Sequence, residues 1–257
     1  IRVDGFGLQQ LDVGSGVSDY PAWNAPILLA NVSLDGVGGE WQGYLYQGSK
    51  VFEFSMSLSD ESGDVTGSSQ ISNFANASVY GVMSLDGTLR DDIFTFSEDE
   101  ILENQRGSWC VKSGTLTLLT SSNARQLSGN WEARGCQPGT IELFVEDPSL
   151  SSVNIGGEWE GMLYQDRGGL RPEYEFRMSI TQDGIHVNGT TSLWYIEDRN
   201  IYGIMAFDGN FQNGLLRFNE IRIVEQNPPS GGYWCMKSGI LAFSALEGED
   251  QFVGSWV

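Results

Sequence analysis

The sequence predicts an all-β protein: two tandem homologous antiparallel eight-stranded barrels, or barrel-like sandwiches, behind an N-terminal extended arm. Three observations predict it. The decapeptide GGEWQGYLYQ at Gly38 returns as GGEWEGMLYQ at Gly156, 118 positions on. Apolar and polar residues alternate with period two, as strands with one buried face require. No stretch sustains helical periodicity with caps.

The repeat runs the length of both copies in one order. FEFSMSL at Phe52 matches YEFRMSI at Tyr174, and YGVMSLDG at Tyr80 matches YGIMAFDG at Tyr202, both offset by 122. WCVKSGTL at Trp109 matches WCMKSGIL at Trp234, and the Gly-x-Trp ending at Trp131 matches the one ending at Trp256, both offset by 125. The two steps in offset are short Gly/Pro-rich insertions in copy 2, RGGLRP (167–172) and NPPSGG (227–232), as loop tips tolerate. The expected division is an arm over 1–21, copy 1 over 22–135 and copy 2 over 136–257.

In copy 1 the strands are expected near 26–33, 40–47, 51–59, 64–72, 77–85, 92–102, 107–119 and 127–133. Phe52, Phe54, Met56 and Leu58 share one face of the third, and Tyr174, Phe176, Met178 and Ile180 repeat this face in copy 2. Asp-Gly pairs at Asp35, Asp86, Asp183 and Asp208 are expected to be hairpin turns, because this dipeptide accepts positive φ. The arm alternates loosely over Ile1–Val13, and Gly14–Asp19 reads as a hinge.

Gly-Glu-Trp at Gly39 and at Gly157 resembles the Gly-x-Trp on the first strand of the calycin barrels, the lipocalins and avidins. The resemblance covers this tripeptide and the general strand pattern of each copy. It implies a tryptophan packed across one barrel end and a small ligand at the other. The downstream lipocalin motifs are absent, so no ligand is carried over. Trp41 and Trp159, with Trp131 and Trp256, are expected to seal barrel ends.

A hairpin centred near Asn123 sets Cys110 across from Cys136, within reach of a disulfide; the alternative is two buried thiols. A bridge implies an oxidising compartment. Cys235, the counterpart of Cys110, would find its partner near position 261. Three readings follow: the natural chain continues, Cys235 stays buried and reduced, or it pairs with another molecule. The start at Ile1 reads as a processed mature form or a fragment.

Charge narrows the partners. Acidic residues outnumber basic ones 34 to 14, for a net charge of −20, which repels nucleic acid and anionic membrane. No apolar run is long enough to span a bilayer as a helix. The sole histidine, His186, argues against the usual His-dependent hydrolases and zinc sites. No cofactor is expected. Calcium is conceivable at the acidic clusters 59–64, 97–100 and 247–250, but none matches a calcium-binding motif, and they read as solvated loops. Acid pairs for glycoside hydrolysis are sought within each copy, Glu40 with Glu53 in the first and Glu158 with Glu175 in the second. Trp194 and Tyr195, where copy 1 has Ser72 and Asn73, are the candidate contacts for a small ligand or glycan.

The leading expectation is a secreted or cell-surface, non-enzymatic structural or adhesive protein. It would self-associate through residues 1–21, as a fibre subunit joined by N-terminal strand addition. The alternatives are a calycin-like binder of a small apolar ligand or sugar, and an acid-pair glycoside hydrolase.

Overall fold

In a computed structural model, residues 12–13, 36–74, 76–121, 124–165, 173–246 and 249–257 are described. The described chain is almost all strand: β1 (Asp12–Val13), β2 (Gly39–Gln47), β3 (Lys50–Glu61), β4 (Asp64–Asn73), β5 (Asn76–Arg90), β6 (Ile93–Gln105), β7 (Ser113–Ser121), β8 (Ala124–Glu132), β9 (Gly139–Val145), β10 (Gly157–Tyr164), β11 (Glu173–Asp183), β12 (His186–Tyr195), β13 (Tyr202–Gln212), β14 (Leu215–Asn227), β15 (Ser238–Leu246) and β16 (Glu249–Trp256). One short 3-10 turn, Pro148–Leu150, links the two halves.

Strands β2 to β9 form a closed antiparallel barrel in chain order, with β9 pairing both β8 and β2. Closure leaves no free sheet edge. The strand that completes this barrel, Gly139–Val145, lies past residue 135, where the repeat alignment ended copy 1. The expected first strand, 26–33, lies outside the described residues, as do the Asp35 turn's first residue and the insertion at 167–172.

The second half repeats the winding but not the closure. Its sheet runs β1-β10-β11-β12-β13-β14-β15-β16, an open barrel whose first strand comes from the N-terminal arm. Two homologous barrels or barrel-like sandwiches were expected; only the first is a barrel closed by ladders. The physical reason is local: among the described residues no strand after β16 plays the part that β9 plays after β8.

Turn chemistry differs from expectation in a telling way. Asp183-Gly184 does turn, between β11 and β12, with Gly184 at φ 61°. Asp86-Gly87 and Asp208-Gly209 lie inside β5 and β13 instead. There the glycine serves close approach: a Cβ on Gly209 would stand 2.1 Å from the Arg217 carbonyl oxygen of the next strand. The hairpins that follow these strands turn at Asp91-Asp92 and Asn213-Gly214, all four residues at positive φ.

The period-two faces bury as expected. Phe54, Met56 and Leu58 join Trp41, Leu45, Phe94 and Phe96 in the first core, and Phe176, Met178 and Ile180 join Trp159, Phe207 and Phe252 in the second. A third cluster lies between the two: Tyr44, Tyr46 and Phe144 on the outside of the first barrel pack against Leu215, Ile240 and Ala242 of the second half. Glu146 ties the same contact, accepting from Asn213 Nδ2 at 2.8 Å and from Arg217 at 3.4 Å. No described helix is long and apolar enough to cross a membrane.

Candidate functional site

The open barrel leaves a seam between β10 and β16. β16 forms its ladder with β15, and β10 with β11, so each has one outer edge to satisfy. β1 lies in that seam. It pairs antiparallel with β10, Asp12 opposite Glu160 and Val13 opposite Trp159, and lies beside β16. In the first barrel β9 holds the same place, with Phe144 opposite Gln42 and Val145 opposite Trp41.

At one end of each unit the repeated Trp-Cys-x-Lys segment folds over the core. The Trp109 ring lies where a Cβ on Gly81 would be, 2.5 Å away, and Trp234 lies on Gly203 in the same way. The contact is kept in both copies although the insertion at 227–232 sets the second YG and WC motifs three residues further apart. Phe52 meets Trp109 edge to face at 6.0 Å, and Tyr174 meets Trp234 at 5.8 Å.

The lysine of that segment turns inward. Lys112 Nζ lies 2.8 Å from Glu98 Oε2, and Lys237 Nζ lies 2.9 Å from Glu220 Oε2, all four side chains buried. Each pair is fully wrapped in hydrogen bonds. The backbone N–H of each lysine donates to its glutamate at 2.8 Å, and the hydroxyl of Ser69 or Thr191 donates to the same carboxylate. Burial holds both lysines below their usual range, and the adjacent carboxylate opposes it. Such pairing is what a buried charge needs to be tolerated. Glu98 was expected in a solvated acidic loop; the structure puts it in the interior.

The disulfide is Cys110–Cys136, with Cα atoms 6.6 Å apart. It lies just past the end of the β7–β8 ladder, which stops at Ser113 opposite Glu132. Cys235 is a free, exposed cysteine, so the buried alternative for it is corrected. Beside the bridge a recess of about 260 Å³ opens among Leu45, Phe52, Trp109, Lys112 and Trp131. The barrel interiors below are filled by the Phe, Met and Leu side chains of the two cores.

Trp41 is fully buried and donates from Nε1 to the Val37 carbonyl at 2.7 Å, with the Arg125 guanidinium 5.2 Å over its ring. Trp159 repeats the bond to Ile155 at 2.9 Å, and its ring packs against Phe252 with centroids 4.5 Å apart. Trp131 and Trp256 donate to the carbonyls of Tyr46 and Tyr164 at 3.2 and 3.3 Å. Tyr195 is buried, its hydroxyl donating to Glu197 at 2.6 Å. Its neighbour Trp194 is half-buried, with Arg177 5.3 Å over the ring, so only part of that ring is open to a ligand.

The carboxylates considered for hydrolysis each have a neighbour. Ser72 donates to Glu53 at 3.0 Å, Arg199 pairs with Glu175 at 2.5 Å, and Ser57 and Ser179 donate to Glu40 and Glu158. In the acidic cluster 59–64, Asp60 accepts from the backbone of Val37 and Gly63. Among the described residues no group of three or more His, Cys, Asp or Glu is placed to hold a metal ion. His186 lies on the surface beside Asn210, 3.1 Å away. No family model, curated protein or solved structure matches this chain.

Proposed function

We propose that this chain is a non-enzymatic, secreted or cell-surface structural protein, a fibre subunit joined to its neighbour by N-terminal strand addition. One observation carries the reading: the described strand of the arm pairs with the open edge of the second unit, although the chain leads from it into the first. Strand addition of this kind gains main-chain hydrogen bonds along an edge that would otherwise go unsatisfied. The disulfide supports an oxidising compartment, and interiors filled with Phe, Met and Leu support a packed building block over a ligand carrier. Deleting residues 1–21 tests it. Size-exclusion chromatography and electron microscopy of the full chain should find multimers that the deletion abolishes; unchanged assembly of the deleted chain sinks the reading.

A further inference from the structure

We propose that the seam between β10 and β16 is an acceptor slot for residues 7–13 of a second copy of this chain. The inference rests on the strand-addition reading and gives it a slot, a register and a donor. The register comes from the two pairs of β1. Trp159 and Glu160 are the repeat counterparts of Trp41 and Gln42. Val13 opposite Trp159 therefore matches Val145 opposite Trp41, and Asp12 opposite Glu160 matches Phe144 opposite Gln42.

The offset between the arm and β9 is thus fixed at 132, with nothing left to adjust. At that offset Gly7-Leu8-Gln9-Gln10-Leu11-Asp12-Val13 lies over Gly139-Thr140-Ile141-Glu142-Leu143-Phe144-Val145. Glycine, leucine and valine coincide, and Gln10 has nearly the shape of Glu142. Leu143 is buried in the first core, so a donor strand in this register would bring Leu11 to a core-facing position. Gln9 for Ile141 departs from the pattern. So does Asp12 for Phe144, whose side chain lies on the outer face against the other unit.

The coincident glycine is the most demanding position. A Cβ on Gly139 would stand 1.7 Å from the Tyr46 carbonyl oxygen and 3.0 Å from Trp131 Nε1. Trp131 donates to that same oxygen at 3.2 Å, which closes the corner from the other side. The second unit rebuilds the corner, with Trp256 donating to the Tyr164 carbonyl at 3.3 Å. A strand completing it needs glycine at that step, and the fixed register supplies Gly7.

Donor and slot lie on different units. The strand precedes the first barrel and the slot belongs to the second, so a strand leaving one chain can fill the slot of the next while its own slot stays open to another. Such a contact is head-to-tail and does not close on itself. The same ladder forms within one chain or between two, and Gly14 and Gly16 next to the strand add no side chain that would favour one over the other. Rising protein concentration favours the neighbour's slot.

The first barrel also suggests the test. Three positions before Gly139 is Cys136, bridged to Cys110 with Cα atoms 6.6 Å apart. At the same register Asp4 takes the place of Cys136, and the exposed Cys235 takes the place of Cys110. Asp4→Cys, oxidised with oxidised glutathione at concentrations where the wild type assembles, should lose both thiols, the new one and Cys235. It should give a ladder of covalent multimers on a non-reducing gel, collapsed by reductant and absent from Asp4→Cys/Cys235→Ser. Loss of both thiols with no bound glutathione by intact mass and no ladder, at every concentration, would place the strand in its own chain's slot and overturn the proposal. Assembled multimers with both thiols free would overturn slot and register while leaving strand-addition assembly standing. A wild type that never assembles overturns both.

Discussion

Glu142 accepts a hydrogen bond from Gln126 at 2.6 Å on the face of the first barrel that the second unit covers. Burial there pushes its carboxyl up to about 7; Ser255 of the second unit and Gln126 pull the other way and do not prevail.

The sign of the consequence follows by linkage. An acid whose folded pKa lies above its ordinary value of 4.5 stabilises fully below that value, and the contribution is lost as pH rises through about 7. The loss is about 3 kcal/mol, at 1.36 kcal/mol for each unit between the two values. Urea unfolding of the wild type should therefore weaken between pH 4.5 and 7.5 more steeply than that of Glu142→Gln. Equal slopes would mean that the carboxyl is solvated.

The Lys112–Glu98 pair is expected to behave as an all-or-none device. Lys112→Met leaves Glu98 charged and buried, and should cost about 3–5 kcal/mol. Lys112→Met/Glu98→Leu removes both charges and should recover most of that. A double-mutant cycle by chemical denaturation reads the difference, and a double variant as weak as the single one would refute it. Lys237 with Glu220 should give the same result in the second unit.

Reduction should separate the two units. The Cys110–Cys136 bridge closes a loop over a separation of 26 residues, worth about 3.5 kcal/mol by loop entropy. The second unit has a free cysteine at the equivalent place. Calorimetry with reductant should shift only the transition of the first barrel. A shift in both would mean that the units unfold together.

Much of the fold was legible because period-two alternation and a tandem repeat are properties of the letters themselves. Phe54 and Phe176 face their cores as read, and Cys110 meets Cys136. Asp86-Gly87 and Asp208-Gly209 were misread, because a glycine that admits positive φ is also the glycine that lets strands approach closely. Glu98 and Glu220 were missed because acidity alone does not reveal burial; the lysine repeated in WCVK and WCMK was the available signal. β9 went unassigned because a repeat search compares copy with copy, and its counterpart sits in the arm, outside both. Only the register of Asp12 and Val13 against Glu160 and Trp159 sets the arm in the place that Phe144 and Val145 hold in the first barrel.

If the arm of one chain fills the seam of the next, as proposed, a row of subunits has a direction. One end of the row presents an unseated arm and the other a vacant seam, so the two ends differ chemically. Growth can then be stopped at one end alone. A chain without residues 1–21 still offers β10 and β16, so it can accept the last arm while offering none in return, and a trace of it would set the length of every row it joins.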